Sequence, residues 1–136
     1  ILSGLVGSEM CIRDRPMIEQ VPVSLLKDWL QTAGSQSGSP AQVLDIRESD
    51  ELLVASIQPQ HIEEAGGTLR HIPMSQLAGR VGELDPDTPV ACLCHHGGRS
   101  QRVALFLAQQ GFGKVANIAG GIDAWSCEID ASTPRY

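Results

Sequence analysis

The chain is poor in the features that would mark several common classes of protein. No apolar run exceeds a few residues, so no membrane-spanning helix is expected. Positive charge is scarce: ten Lys plus Arg face 16 Asp plus Glu, and the net charge of -6 has the wrong sign for counterion release from a nucleic-acid backbone. The four cysteines, Cys11, Cys92, Cys94 and Cys127, are too few and too unevenly spaced for a disulfide framework. A reducing compartment, the cytoplasm, is the expectation. Aromatic residues make up only 4% of the chain. Trp29 and Trp125 are assigned to the core or its rim.

What remains is the composition of a globular domain. With 136 residues, 42% of them apolar and 19% charged, the chain can bury about two-thirds of its extended surface and hold one core without a metal or disulfide. Residues 1–16 differ from the rest. Ile1 to Val6 is too short for an export signal, and the stretch has no helical or strand period. It reads as a non-native or disordered leader, with Met17 as the natural start and 17–136 as one domain.

From Met17 onward short apolar runs alternate with amphipathic segments. Leu25, Leu26, Trp29 and Leu30 share a helical face, with Gly34 expected to end that helix and the Ser/Gly-rich stretch to Pro40 forming a loop. Val43 to Ile46 predicts a strand, Asp50 to Ala55 a helix, and Ser56 to Arg70 a long irregular connection interrupted by Pro59 and Gly66-Gly67. Leu69 to Ile72 predicts a strand and Ser75 to Val81 a short helix. After a turn at Asp85 to Asp87, Val90 to Leu93 is apolar enough for a strand covered on both faces. Ser100 is expected to cap a helix with Val103, Ala104, Leu107 and Ala108 in one stripe, closed by Gly111 with Phe112 folding back. Val115 to Ile118 predicts the last strand, and Gly120-Gly121 opens a helix carrying Trp125. This alternation implies an α/β fold, a parallel sheet with helices on both faces.

Ligands bind such sheets beyond the carboxyl ends of the strands. There, after the most apolar strand and before the clearest helix, stands Cys94-His95-His96-Gly97-Gly98-Arg99-Ser100. Two glycines let the chain curl until backbone N–H groups converge on one point, and the helix start adds its own donors and positive dipole end. A cysteine facing that ring has its thiolate stabilised and becomes a nucleophile at neutral pH. Arg99 supplies a guanidinium suited to an incoming oxyanion or to bracing the loop. Covalent catalysis by Cys94 on an anionic substrate follows. Cys92, inside the strand, is assigned to packing, and Cys127 to packing or surface.

At this point the sequence resembles the rhodanese-like sulfurtransferases. VLDIRE (Val43 to Glu48), HIPM (His71 to Met74), CHHGGRS (Cys94 to Ser100) and GGIDAW (Gly120 to Trp125) are similar to four family motifs in family order, and the ending EIDASTPRY resembles small single-domain bacterial members. The resemblance implies a rhodanese-like fold, with a central, mostly parallel sheet of about five strands. It implies that Cys94 takes a sulfane sulfur from a small anionic donor such as thiosulfate and passes it, as a persulfide, to cyanide or a cellular thiol, including an unidentified sulfur-accepting protein. His95, His96, Gly97, Gly98, Arg99 and Ser100 would bind substrate, with Asp45 and Arg47 bracing the loop. No cofactor is implied. The chain departs from the family in the long connection before the middle strand and in the His95-His96 pair, whose neutral imidazoles put less fixed positive charge beside the sulfur.

Other readings are a non-catalytic or sulfur-carrier module of the same family, a Cys-dependent phosphatase, and a metal site. Phosphatases of this type place five residues between Cys and Arg, whereas four lie between Cys94 and Arg99, a ring too small for tetrahedral phosphate. Cys92, Cys94, His95 and His96 lack the separated half-sites of structural zinc, so no metal is expected. His61 is expected in a loop, His71 as a hydrogen bonder at a strand end, and Glu63-Glu64 on a solvated face.

Overall fold

Apolar residues at consecutive positions, as in Val43-Leu44 and Val90 to Leu93, can be buried only where a sheet is covered on both faces. The structure, a computed structural model that describes residues 18–134, builds the fold around them. In chain order the elements are β1 (Glu19–Pro22), a 3-10 turn (Val23–Leu25), α1 (Leu26–Ser37), β2 (Gln42–Asp45), α2 (Ser49–Val54), α3 (Pro59–Glu63), β3 (Thr68–His71), α4 (Met74–Arg80), a second 3-10 turn (Val81–Glu83), β4 (Val90–Leu93), α5 (Gly98–Gln109), β5 (Val115–Ala119) and α6 (Gly121–Glu128). The sheet order is β1-β5-β4-β2-β3, and every neighbouring pair is parallel. The expected leader at 1–16 and the start at Met17 lie outside the described residues.

Strand alternation divides the core in two. Val21, Val43, Ala91, Leu93, Ala116 and Ile118 face Leu26, Trp29 and Leu30 of α1 and Trp125 of α6. Leu44, Val90, Cys92 and Val115 face Leu77 of α4 and Val103, Ala104 and Leu107 of α5. Each fully buried aliphatic side chain in these layers is worth about 1.5–3 kcal/mol. The two layers hold the sheet rigid beneath the strand ends.

Several boundaries depart from the expectations. Helix α1 runs through Gly34 to Ser37 and is closed by Gly38, whose N–H donates to the Gly34 carbonyl. Pro59 opens α3 instead of interrupting a loop, since a proline at the first helical position forfeits no hydrogen bond. His61 therefore sits in a helix, 3.5 Å from Asp130 and edge-on to Trp125. Strand β1 has a single buried position, Val21, and so shows no alternation in the sequence. Ser100 does not cap α5. Gly97 takes the N-cap place at φ +107°, and the helix begins at Gly98, which turns Ser100 inward. The other end of α5 matches the expected closure: Phe112 N–H donates to the Leu107 carbonyl and Gly111 N–H to that of Ala108.

The chain reverses its direction of travel across the sheet between β2 and β4. The first crossover from β2 goes outward to β3, and the next returns past β2 to β4 and β5. The crevice at this switch point is where a doubly wound sheet receives ligands. Cys94 follows β4 there, beside Ile46, whose N–H donates to the Leu93 carbonyl at 3.0 Å.

Candidate active site

The sequence from Cys94 to Ser100 folds back beneath its own helix. Positive φ at Gly97 makes the reversal, and space there is tight, because a Cβ would lie 3.3 Å from the Gly120 nitrogen. The turn brings the Gly97 N–H to 3.0 Å from Cys94 Sγ and leaves Ser100 Oγ 3.3 Å from the same sulfur. Cys94 is 1% exposed.

Helix α6 supports the loop from below. Ile122 N–H donates to the Cys94 carbonyl at 2.9 Å and Asp123 N–H to that of His95 at 3.1 Å. These amides belong to the first turn of α6, where they have no partner within the helix. The fit is tight: a Cβ on Gly121 would stand 2.3 Å from the Cys94 carbonyl oxygen.

Arg99 leans away from the sulfur toward α2 and forms a two-pronged ion pair with Glu51, Nη1 to Oε1 at 2.9 Å and Nη2 to Oε2 at 3.0 Å. The Asp45 and Arg47 side chains meet in a buried pair, with Arg47 Nη2 2.7 Å from Asp45 Oδ2 and Nε 2.9 Å from Oδ1. Arg47 Nη1 also donates to the Ala55 carbonyl at 2.7 Å, just past the end of α2, and His71 Nε2 donates to the Arg47 carbonyl at 2.7 Å. The buried pair thus anchors one end of α2, and Glu51 on that helix anchors Arg99.

Of the residues singled out from the sequence, Cys94, Gly97 and Ser100 come together at the sulfur. Gly98 is exposed at the helix start, His95 is half-buried, and His96 is exposed with its ring 3.9 Å from that of His95. Cys92 is buried on the same sheet face. Burial pushes its thiol far above the ordinary range, and the neighbouring Cys94 adds to the rise, so Cys92 stays protonated. Cys127 is exposed, and the three described cysteines are free.

Three contributors escape sequence reasoning. Glu51 carries no signal beyond an acidic residue on a short helix. Gly121 is visible as a glycine but not as the seat of a carbonyl. Asn117 did leave a trace, a lone amide in the otherwise apolar run Val115 to Ala119, and its Oδ1 lies 2.5 Å from Ser100 Oγ.

His95, His96 and Asp123 place one ligand atom each within 4.8 Å of one another, a donor set different from the Cys-His group weighed in the sequence. Ligands of a tetrahedral zinc stand about 3.4 Å apart, so the side chains would have to close in to hold an ion. Among the described residues no helix is long and apolar enough to cross a membrane.

Comparison with known proteins gives the family. Residues 24–128 match the Rhodanese-like domain. A thiosulfate sulfurtransferase GlpE of Pseudomonas putida is 31% identical over 98 residues, covering 71% of this chain and 89% of that protein. The Arabidopsis thaliana "Rhodanese-like/PpiC domain-containing protein 12, chloroplastic" is 36% identical over 100 residues, again 71% of this chain, but the match spans only 30% of that longer protein. Among solved structures, a rhodanese-like domain protein from Staphylococcus aureus superposes with a TM-score of 0.63 at 20% identity, covering 88% of this chain and 99% of that one. It shares the fold.

Proposed function

The chain belongs to the rhodanese-like domain family, whose relatives include thiosulfate sulfurtransferases, and from that footing we propose that it moves a sulfane sulfur from a small anionic donor to a nucleophilic acceptor through a persulfide on Cys94. The observation that carries the reading is the sulfur of Cys94 set between the Gly97 N–H and Ser100 Oγ.

The chemistry follows from that setting. Cys94 Sγ, as thiolate, attacks the outer sulfur of thiosulfate. The new S–S bond forms as the old one breaks, and sulfite leaves with the bonding pair. An acceptor, cyanide or a thiolate, then attacks the outer sulfur of the persulfide and returns Cys94 as thiolate. The Gly97 N–H and the Ser100 hydroxyl stabilise negative sulfur at each stage. The remaining loop residues, His95, His96, Gly98 and Arg99, receive the donor, and the Asp45–Arg47 pair braces the loop indirectly by fixing α2. The free thiols suit a reducing compartment, and cytoplasm is our assignment.

Thiosulfate and cyanide should yield thiocyanate, an aryl phosphate should go untouched, and Cys94→Ala should lose sulfur transfer with an unchanged melting temperature. Hydrolysis of the aryl phosphate in place of thiocyanate formation would overturn the proposal in favour of phosphatase chemistry.

A further inference from the structure

Asn117 is 4% exposed in a strand whose other core positions are apolar, at a site where a valine would pack without the cost of burying an amide. It sits in register with Cys92 of β4 on one side and Gln20 of β1 on the other. Its side chain is linked at both ends: Oδ1 to Ser100 Oγ at 2.5 Å, and Nδ2 donating to Gln20 Oε1 at 2.9 Å. Gln20 Nε2 continues to Gln101 Oε1 at 2.5 Å. A hydrogen-bonded line therefore runs from Cys94 Sγ through Ser100, Asn117 and Gln20 to the surface.

The Ser100 hydroxyl has one hydrogen and two neighbours that can accept it, Cys94 Sγ and Asn117 Oδ1. With the hydrogen on the Asn117 side, the hydroxyl oxygen is left to accept from the thiol S–H. A thiolate needs the hydrogen back. An amide can turn over, present Nδ2–H to Ser100 Oγ and release the hydroxyl hydrogen to the sulfur, and Gln20 and Gln101 can turn with it, so that every group stays paired in both states. No apolar residue, and no fixed acceptor, allows that exchange.

We propose that Asn117 is a positioning residue for Cys94, acting through Ser100 by directing the hydroxyl hydrogen to the sulfur when the sulfur is negative. The inference rests on Cys94 being the reacting group, as proposed above, but not on which donor or acceptor it serves.

Site-resolved alkylation by iodoacetamide at pH 7 tests it, read by mass spectrometry. Exposed Cys127 serves as internal standard and buried Cys92 as a sensor of strand opening. Asn117→Ala should slow Cys94 relative to Cys127 by about fivefold, the scale of one lost neutral hydrogen bond, because the hydroxyl that donates to the thiolate then has no donor to its own oxygen. In a Ser100→Ala background the same substitution should change the rate by less than about twofold, because the link is already cut. An equal slowing in both backgrounds, or no slowing in the first, overturns the proposal. Should Asn117→Ala open the strand, seen as Cys92 alkylation, Gln20→Leu makes the comparison without touching the core. It should slow Cys94 only where Ser100 is present, and an effect independent of Ser100 overturns the proposal. Alkylation needs no sulfur donor, so the relay can fail while sulfur transfer stands. Conversely, a protein with the expected coupling that forms no persulfide would sink the transferase reading alone.

Discussion

Cys92 and Cys94 stand two positions apart and pack in one core layer, but in different surroundings. Cys92 lies among aliphatic side chains that disfavour its charge, whereas Cys94 has an N–H and a hydroxyl within reach. The charged residues around them divide in the same way. Asp45 and Arg47 are buried, and removing one charge strands the other without solvent; Asp45→Asn should therefore cost about 3–5 kcal/mol in urea unfolding. Arg99 and Glu51 are 34% and 23% exposed, so their pair contributes at most about 1 kcal/mol to stability. Arg99→Ala should leave the urea midpoint nearly unchanged and lower kcat/KM for thiosulfate by about tenfold, one charge-assisted contact to an anion. Unchanged kinetics would remove Arg99 from donor binding.

At the scale of elements, the loop after β4 is held by the first turn of α6, and Gly121 is the point of closest approach. Gly121→Ala puts a methyl group where the Cys94 carbonyl now lies, at a φ of +57° that a side chain already disfavours. Overpacking of this kind costs about 1–3 kcal/mol, and relief comes by pushing the loop away from α6. Sulfur transfer should fall more than stability does, which thiocyanate assays paired with thermal melts will show; full activity would mean that the loop does not depend on its seat.

Such contacts explain which elements were legible in the sequence. Strand β4, helix α5 and its glycine ending declare themselves through local rules of period and closure, and β2, β3, α4, β5 and α6 fall within a residue or so of expectation. Strand β1 could not, since its stability comes from pairing with β5, almost a hundred residues away, and one buried valine leaves no pattern. Ser100 misled for a related reason. Its residue type suits a helix cap, but positive φ at Gly97 moves the cap upstream and frees the hydroxyl for the sulfur. The candidate loop was legible because its Cys, glycine pair and Arg stand in one run of sequence. Asn117 and Glu51 reach the site through space, from other elements.

For the whole molecule, two aliphatic layers on a parallel sheet leave the strand ends as the place where polar groups collect, and the crevice between β2 and β4 gathers the site. Surface charge adds a weak dependence on acidity. Hydrogen bonding to Arg80 holds the Glu83 carboxyl below its ordinary range, and the Ser132 hydroxyl and N–H do the same for Asp130. A lowered folded value means that each contributes stability above the ordinary carboxylate range, near pH 4, and loses it as pH falls through that lowered value. Glu83 is exposed and Asp130 half-buried, and both contributions are small, so melts of Glu83→Gln and Asp130→Asn should coincide with the parent in acid, below the lowered values, and fall slightly below it from about pH 4 upward, neutrality included, because the gain is missing.

Intact mass spectrometry after incubation with thiosulfate tests the central claim most directly. The account predicts a gain of one sulfur atom, located on Cys94, removed by cyanide and absent in Cys94→Ala. A chain that stays at its unmodified mass, or that carries the added sulfur on Cys127 instead, would contradict it.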